Sequence, residues 1–211
     1  MKAYASALHS HEAKRLSIIE AASAVFGREG FSGANLDVIA QEAGVSRQTL
    51  YNRHGDKEKL FVAVVSELTT RMAAICVEAM TTFPDEPSHL EDDLTAFALR
   101  VNRDCICSRD GYLLRRLVQG ESARYPHLFT GWEEQGAAKA WDALATGLEG
   151  LARAGWLDIE DAHLAARQFL ALIRSDLQVY ILLGETPDDE TLEKASRSAV
   201  RTFLRAFVPR G

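Results

Sequence analysis

The sequence predicts an all-α protein in which a three-helix N-terminal domain, over residues 1–55, contains a helix-turn-helix and precedes a larger helical domain over residues 56–211. Two observations predict this fold class. Apolar residues recur every three or four positions along most of the chain, as they do on one face of an α-helix. A Gly turn also separates two short helical patterns near residue 44, and no segment has the convincing alternation of a β-strand.

The first predicted helix covers about residues 13–28 and turns one apolar stripe toward the core. The stripe consists of Leu16, Ile19, Ala22, Ser23 and Phe26. The dozen residues before this helix lack such periodicity, so the prediction does not extend the helix into them.

The next two helices form a tight pair. Asn35 is a predicted N-cap, because its side-chain oxygen can accept an unpaired backbone N–H of the first turn. Gly44 is expected to end the helix, because glycine adopts a left-handed backbone at low cost. Ser46 then caps the following helix, and Leu50 faces back toward its partner. This pattern is typical of a helix-turn-helix.

The outward side of the second short helix carries polar residues that suit the major groove of DNA. Arg can bridge guanine O6 and N7, Gln and Asn can bridge adenine N6 and N7, and Thr can contact a thymine methyl group. Tyr51 and Lys57 are better suited to phosphate. The predicted DNA contacts are Asn35, Ser46, Arg47, Gln48, Thr49, Tyr51, Asn52, His54 and Lys57. The alternative is a helical corner with a solvated polar face.

Residues 14–62 resemble the DNA-binding domain of TetR/AcrR-type bacterial transcriptional regulators. The motif I-A-x-x-A-G-V-S-x-x-x-L-Y begins at Ile39, and K-E-x-L follows at Lys57. His54 stands where the family usually has Phe. Its ring either packs at the helix end or contacts phosphate and makes binding pH-sensitive.

A long fourth helix and the body helices follow. The helix from Asp56 to about Thr81 is roughly 25 residues, or ~37 Å, and is long enough to connect the two domains. Residues 82–88 interrupt it. Further helices are predicted at about 88–108, 111–124, 126–154, 159–183 and 187–207.

The body resembles the C-terminal domain of the AefR-like branch of the same family. The resemblance rests on E-x-x-R-Y-P-x-L from Glu121 and A-A-R-Q-F from Ala165. It implies a helical domain that senses a ligand and dimerises.

Dimerisation is predicted through the last two helices, which are unusually apolar. The penultimate helix carries V-Y-I followed by L-L-G, at residues 179–184, and little polar surface. One face of the final helix carries Leu192, Ser196, Ala199, Val200, Phe203 and Phe207. A two-fold dimer would match a palindromic DNA operator. The alternative is that both helices cover the core of the monomer.

A pocket for a small effector is expected between the body helices. Its candidate lining residues are Phe97, Tyr112, Phe129, Trp132, Trp141, Phe169 and Arg174. The aromatic residues favour an apolar or aromatic effector, although each can also be ordinary core, and Arg174 can be an interface or solvated group.

Charge favours DNA contact by the N-terminal part. The net charge is −6. Residues 1–60 contain eight Lys or Arg and seven Asp or Glu, a charge of +1, whereas residues 61–211 have a charge of −7. Because +1 is small, specific binding is expected to need two copies of the domain on one site.

Other functional classes find little support in the sequence. No nucleophile with a neighbouring base, carboxylate pair or phosphate loop can be recognised, so no enzyme is predicted. No cofactor or metal is predicted, because the six His lack ligand spacing. No apolar run approaches the ~20 residues that span a bilayer and no leader is apparent. The expected location is therefore the cytoplasm, with no membrane partner.

The three cysteines suit a reducing compartment. Cys105 and Cys107 would point about 200° apart on one helix, so they are not expected to share a metal or a disulfide. Cys76 stands alone in the sequence. Both interpretations, inert thiols and a redox sensor, stay open.

Taken together, these features predict a ligand-responsive, homodimeric DNA-binding regulator, most simply a repressor that an effector releases from a palindromic operator. The alternative is a small-molecule-binding or scaffold protein of the same fold without operator binding.

Overall fold

The computed structural model describes residues 2–132 and 138–209 of the chain, and the side chains of residues 2–11, 129, 131 and 132 lie outside that description. The described residues form helices and no strands, which confirms the predicted all-α fold class. The α-helices in chain order are α1 (Lys2–Gly33), α2 (Leu36–Glu42), α3 (Arg47–His54), α4 (Lys57–Met80), α5 (Leu90–Arg100), α6 (Arg109–Glu121), α7 (Pro126–Trp132), α8 (Ala138–Arg153), α9 (Ala162–Ser175), α10 (Gln178–Leu183) and α11 (Asp189–Phe207). A π-helix, Val101–Ile106, follows α5 directly.

The helices pack as two compact units. Unit 1 comprises Met1–Thr69 and Leu113–Gly131, and unit 2 comprises Thr70–Tyr112 and Trp132–Gly211. Helices α4 and α6 therefore each contribute residues to both units. Packing divides the chain after Thr69, whereas the boundary predicted after residue 55 separates the DNA-binding helices from the rest of the chain. That functional boundary stays a prediction.

Unit 1 has a continuous apolar core under the helix-turn-helix. Its most deeply buried side chains are Ile18, Ile19, Ala22, Val25, Phe26, Ile39, Leu50, Leu60, Phe61 and Val64. The predicted stripe of the first helix is buried except for Leu16, which is 37% exposed. Helix α1 is longer than predicted: its backbone is helical from Lys2, and it bends at Gly30, where φ is 71°.

An aromatic cluster joins α7 to this core. Phe31 and Phe61 lie 5.2 Å apart between ring centroids, and the ring of Tyr125 lies 5.8 Å from Phe31 and 5.5 Å from Phe61. The guanidinium carbon of Arg124 lies 4.6 Å from the centroid of Phe31. Arg124 and Tyr125 belong to the E-x-x-R-Y-P-x-L motif, so this motif packs within unit 1.

Unit 2 is built around α11, which packs against α5 and α9, while α8 packs on the other side of α9. Aromatic rings run through its core from Phe83 to Phe97, Phe169 and Phe203, with successive centroids 5.1–6.0 Å apart. Gly147 fits against Phe83, since a Cβ there would lie 2.5 Å from the ring.

One of the predicted body helices is interrupted. The helix expected at 159–183 is divided into α9 and α10, with Leu177 between them fully buried. The helix expected at 126–154 contains α7 and α8, and residues 133–137 between these two lie outside the described residues. Helix α10 then exposes three apolar side chains: Val179 is 64%, Leu182 68% and Leu183 62% exposed.

The predicted dimerisation face of α11 lies inside the monomer. Its members Leu192, Ser196, Ala199, Val200 and Phe203 are all at most 5% exposed, and Phe207 is half-buried. Their apolar spacing is explained by contacts with α5 and α9, which was the alternative interpretation of this face. The face therefore does not support a dimer interface.

Helix α4 corrects the expectation that no apolar run is long enough to span a bilayer. By length and composition alone, it is the one such helix in the described part of the chain. However, its residues Leu60, Phe61, Val64 and Leu68 are at most 1% exposed within unit 1. A core helix of a soluble protein meets the same criterion.

Candidate nucleic-acid interface

The turn between α2 and α3 forms as its residues predict. The Asn35 side chain accepts a hydrogen bond of 2.8 Å from the backbone N–H of Asp37. Gly44 has φ of 66°, a backbone that other residues adopt at a cost. Ser46 Oγ accepts a 3.1 Å hydrogen bond from the N–H of Thr49. Both predicted caps and the predicted turn are confirmed.

Buried side chains fix α3 against α2, and α2 in turn packs against α1. Leu50 is fully buried, as is Ile39 on α2, and Ala40 is 4% exposed, which lets the two helices approach closely. The hydroxyl of Ser17 donates a 2.6 Å hydrogen bond to the carbonyl oxygen of Ala43. The orientation of α3 is thus set by packing, and its opposite side is left for solvent.

Four of the predicted contact residues share this open side of α3. Arg47, Gln48, Tyr51 and Asn52 are all exposed. The amide of Gln48 donates a 2.8 Å hydrogen bond to Oδ1 of Asn52, which aligns the two amides. The guanidinium carbon of Arg47 lies 5.4 Å from the ring centroid of Tyr51.

Arg47 has an acidic neighbour that the sequence did not indicate. Its guanidinium lies 3.0 Å from Oδ1 of Asp37, and both side chains are more than half exposed. The hydrogen bond with Tyr51 and the charge of Asp37 raise the pKa of Arg47. Because the ion pair is exposed, it is weak in water and a stronger anion can displace it.

Lys57 is held by the end of α1. Its ammonium donates hydrogen bonds to the carbonyl oxygens of Ser32, at 3.0 Å, and Ala34, at 2.8 Å. The same ammonium lies 5.0 Å from the ring centroid of Phe31. A cation is favourable where a helix ends in unpaired carbonyls, so Lys57 has a structural role besides any role toward phosphate.

His54 is half-buried at the end of α3, and its Nε2 has no hydrogen-bond partner. Burial, followed by the charges of Arg53 and Arg15, lowers the pKa of His54 below its ordinary value of 6.5. A neutral, largely packed ring fits the first of the two interpretations better than a phosphate contact does.

Ser46 and Thr49, at the start of α3, are further predicted contacts on this helix, and Asp56 follows its end. Thr49 is half-buried, and its hydroxyl lies 2.8 Å from that of Ser46. Asp56 caps α4, accepting a 2.8 Å hydrogen bond from the N–H of Lys59. These groups shape the edges of the surface around Arg47, Gln48, Tyr51 and Asn52.

The predicted effector-lining residues lie in different environments. Phe97 and Phe169 are in the core of unit 2, 1% and 0% exposed, whereas Tyr112 and Trp141 are half-buried. Arg174 is exposed, and its Nε donates a 3.0 Å hydrogen bond to the carbonyl oxygen of Leu170 on its own helix. The side chains of the other two, Phe129 and Trp132, lie outside the described residues. A role in effector binding stays a prediction for all of them.

Two protein-family descriptions match the chain. Residues 18–64 match the bacterial regulatory proteins of the tetR family. Residues 92–209 match the family described as AefR-like transcriptional repressor, C-terminal domain. The first match contains the caps, the turn and the open side of α3, and the second covers more than half of the chain.

Individual relatives agree with both matches. The HTH-type transcriptional repressor SCO4008 of Streptomyces coelicolor is 43% identical over 56 residues, 26% of this chain and 29% of that protein. The chain thus spans about three tenths of the length of this relative. A solved TetR-family regulator from Mesorhizobium loti aligns with a TM-score of 0.78 and 27% identity, covering 95% of this chain and 98% of that one. The flavonoid-responsive regulator FrrA aligns with a TM-score of 0.63 and 32% identity, covering 94% and 98%.

These matches also bear on the class of protein, because the matched families and relatives are transcriptional regulators and not enzymes. The chain therefore belongs to the TetR family of bacterial transcriptional regulators, with a C-terminal domain of the AefR-like type.

Proposed function

We propose that this regulator binds a palindromic DNA operator as a homodimer, represses transcription from the cytoplasm, and is released by a small apolar or aromatic effector. The observation that carries the proposal is the open side of α3, where four polar side chains stand exposed above the buried Leu50. These exposed side chains pack little against the rest of the chain, and their polar groups suit a DNA groove.

The contacts divide into those that read bases and those that position the helix. Arg47 would turn from Asp37 to a guanine edge, and the Gln48–Asn52 amide pair would meet an adenine. A good bidentate contact of this kind contributes about 1–3 kcal/mol of discrimination between bases. Tyr51 would contact a phosphate through its hydroxyl.

The residues around α3 would hold phosphates on either side of the groove. Asn35 and Ser46 cap their helices with oxygen atoms that accept hydrogen bonds. The amide of Asn35 therefore keeps two N–H donors, and the hydroxyl of Ser46 keeps one when Thr49 donates in the bond between their hydroxyl groups. An ammonium has three donors, so Lys57 can retain its two carbonyl contacts and still donate to a phosphate oxygen. This would place Lys57 in both the fold and the DNA contact.

Dimerisation would use the apolar residues predicted on the penultimate helix, now α10, rather than the buried face of α11. Val179, Leu182 and Leu183 on α10 expose apolar surface that a second copy would cover. Leu164 at the start of α9, which is 43% exposed, extends the apolar character of this pair of helices. A two-fold interface here would pair two recognition helices with the two halves of a palindrome.

An apolar or aromatic effector suits the aromatic content of unit 2. The similarity to FrrA, which is named for its response to flavonoids, supports the aromatic choice. Phe97, Phe169, Tyr112 and Trp141 are the described candidates for contact with such a molecule. An aromatic ligand would gain from offset or edge-on packing against such rings.

Release from DNA would follow from a change in the distance between the two DNA-binding domains of the dimer. The DNA-bound state would hold the two recognition helices about one helical turn, ~34 Å, apart. An effector that prefers another spacing would draw the population away from DNA. Helix α4 is one continuous helix with residues in both units, which makes it the natural element to transmit such a shift.

A gel-shift series with the region upstream of the protein's own gene tests the proposal. We expect a shift that an excess of unrelated DNA does not abolish, that weakens steeply with salt, and that a bound effector removes. If no selective shift occurs at any dimer concentration, while aromatic molecules still raise the melting temperature, the alternative of a ligand-binding protein without an operator would be correct.

A further inference from the structure

A row of side-chain contacts ties the second half of α4 to residues 105–110. Arg71 Nη1 lies 3.8 Å from Oδ2 of Asp110, and the hydroxyl of Ser108 donates to Sδ of Met72 at 3.8 Å. As residue numbers rise along α4 they fall along the partner segment, so the two run antiparallel. One turn beyond Met72, this register brings Cys76 opposite Cys105.

The two thiols are close enough that each shifts the pKa of the other. Cys76 is half-buried and Cys105 is 8% exposed. The expectation that Cys76 stands alone therefore holds only along the sequence. In space, it forms a pair with a residue on another helix.

The π-helix determines which cysteine faces α4. Its wide turn is closed by a 2.7 Å hydrogen bond from the N–H of Cys107 to the carbonyl oxygen of Asn102. Cys107 packs against the cluster of Leu177, Leu192 and Ala195 on the other side. Cys105 and Cys107 thus face in different directions, as their spacing predicts. Single π-helical turns occur frequently at functional sites.

The π-helix is itself anchored in unit 2. The side chain of Asn102 is fully buried and donates 3.0 Å hydrogen bonds to the carbonyl oxygen of Ile173 and to Oγ of Ser196. These two bonds hold the π-helix to α9 and α11. The π-helix that carries Cys105 is therefore held in place by α9 and α11.

The environment favours a negative charge on Cys76 rather than on Cys105. The hydrogen bond from Cys105 lowers the pKa of Cys76. The same bond, together with burial and the charge of Asp104, raises the pKa of Cys105. Cys76 is also the more accessible of the two, and the thiolate is the reactive form of cysteine.

We propose that Cys76 and Cys105 form a dithiol site that reacts with hydroperoxides and closes to an intramolecular disulfide. The inference goes beyond the proposed regulatory function and does not depend on it. Neighbouring thiols on two packed segments need little movement to reach disulfide geometry, in which Cα atoms lie about 4.4–6.8 Å apart.

The reaction balances with hydrogen peroxide as the oxidant. The Cys76 thiolate attacks one peroxide oxygen, the O–O bond breaks, and the departing hydroxide takes the proton of the Cys105 thiol to become water. The Cys105 thiolate then attacks the sulfenic sulfur of Cys76 and expels a second hydroxide, which takes the proton that Cys76 first released. Two thiols lose two electrons to the peroxide, giving one disulfide and two waters.

The test uses the full, reduced chain treated with hydrogen peroxide under denaturant-free conditions. We expect the titratable thiols to fall from the three of the sequence to one, the mass to fall by two hydrogen atoms, and the chain to remain a single covalent copy. Trypsin leaves Cys105 and Cys107 in one peptide, residues 104–109. The matched control Cys107→Ser should therefore still give that peptide linked to the one containing Cys76.

The two remaining variants separate the roles. Cys105→Ser should stop at a sulfenic acid on Cys76, which dimedone labels, whereas Cys76→Ser should react slowly and give no internal disulfide. Circular dichroism verifies that each variant is folded. If a variant fails to fold, the peptide map of the wild-type chain still tests whether the disulfide forms. A link that includes Cys107, or three thiols that persist in excess peroxide, would overturn the proposal.

Discussion

The ammonium of Lys57 lies 2.8 Å from the carbonyl oxygen of Ala34, at the end of the first helix. Together with its 3.0 Å bond to Ser32 O, this contact joins the beginning of α4 to the segment that leads into the helix-turn-helix. A residue expected to hold phosphate thus also holds the domain together. Its replacement should therefore affect both stability and DNA binding.

We expect Lys57→Ala to destabilise the chain as well as to weaken operator binding. Hydrogen bonds to charged groups contribute about 1.5–3 kcal/mol when sheltered. For this partly exposed ammonium we expect about 1 kcal/mol, or about 2–4 °C in melting temperature for a chain of this size. Lys59→Ala is the matched control, because that side chain is 74% exposed and its one ion pair with a described residue is to Asp56, at 3.6 Å. Equal melting temperatures for both variants would disprove the structural role.

Replacing Asp37 should strengthen DNA binding. Asp37→Asn removes the carboxylate that pairs with Arg47, so the guanidinium no longer has to leave an ion pair to meet DNA. Because Arg47 would meet a guanine edge and not a phosphate, the gain should appear as higher operator affinity, while the slope of log K against log salt, which reports phosphate contacts, should stay nearly unchanged. Fluorescence anisotropy at several salt concentrations measures both the affinity and the slope. Glu42→Gln, which removes the nearer of the two carboxylates paired with Arg28 on α1, is the control and should raise operator affinity less.

His54 should make the folded state less stable in mild acid. Its pKa is lowered in the folded protein by burial and by neighbouring Arg53 and Arg15. As the pH falls below about 6.5, the unfolded chain takes up a proton that the folded chain resists, so the free energy of unfolding decreases. His54→Phe should remove this dependence. Urea unfolding of both proteins at pH 7.5 and 5.5 is the measurement, and an unchanged pH dependence in the variant would show that other groups cause it.

A charge on the exposed face of α10 should break the dimer. We expect Leu182→Glu to give a monomer and to lower operator affinity by far more than it lowers the melting temperature, since Leu182 is 68% exposed in the single chain. Val77→Glu is the control, because Val77 on α4 is 52% exposed but lies outside the proposed interface. Sedimentation velocity separates the two species. A Leu182→Glu protein that remains dimeric would place the interface elsewhere.

Features encoded within a few residues were the predictable part of this structure. Asn35, Gly44 and Ser46 mark caps and a turn through their own side chains and backbone preferences, and all three form as expected. Contacts that join distant segments could not be predicted in this way. Lys57 binds backbone carbonyls, which carry no residue signature, and Cys76 meets Cys105 only because a π-helix re-aims the chain.

The apolar face of α11 shows why pattern alone misplaces an interface. Leu192, Val200 and Phe203 have the spacing of a buried stripe, and burial in the monomer or in a dimer requires the same spacing. Only the packing of α5 and α9 against this face decides between them. By contrast, Val179 and Leu182 belong to the short helix α10. The periodicity predicted one continuous helix over 159–183 and did not indicate that α10 is separate from α9.

Selection of bound sequences from a random DNA library shows whether α3 reads an operator as part of a dimer. We expect the wild-type chain to enrich a palindrome with half-sites about one helical turn, ~34 Å, apart. We expect Gln48→Ala to lose preference at one symmetric pair of positions, and Tyr51→Ala to lower affinity for all sequences alike. Enrichment of no sequence, or an identical motif and affinity for wild type and Gln48→Ala, would show that α3 does not read an operator in this way.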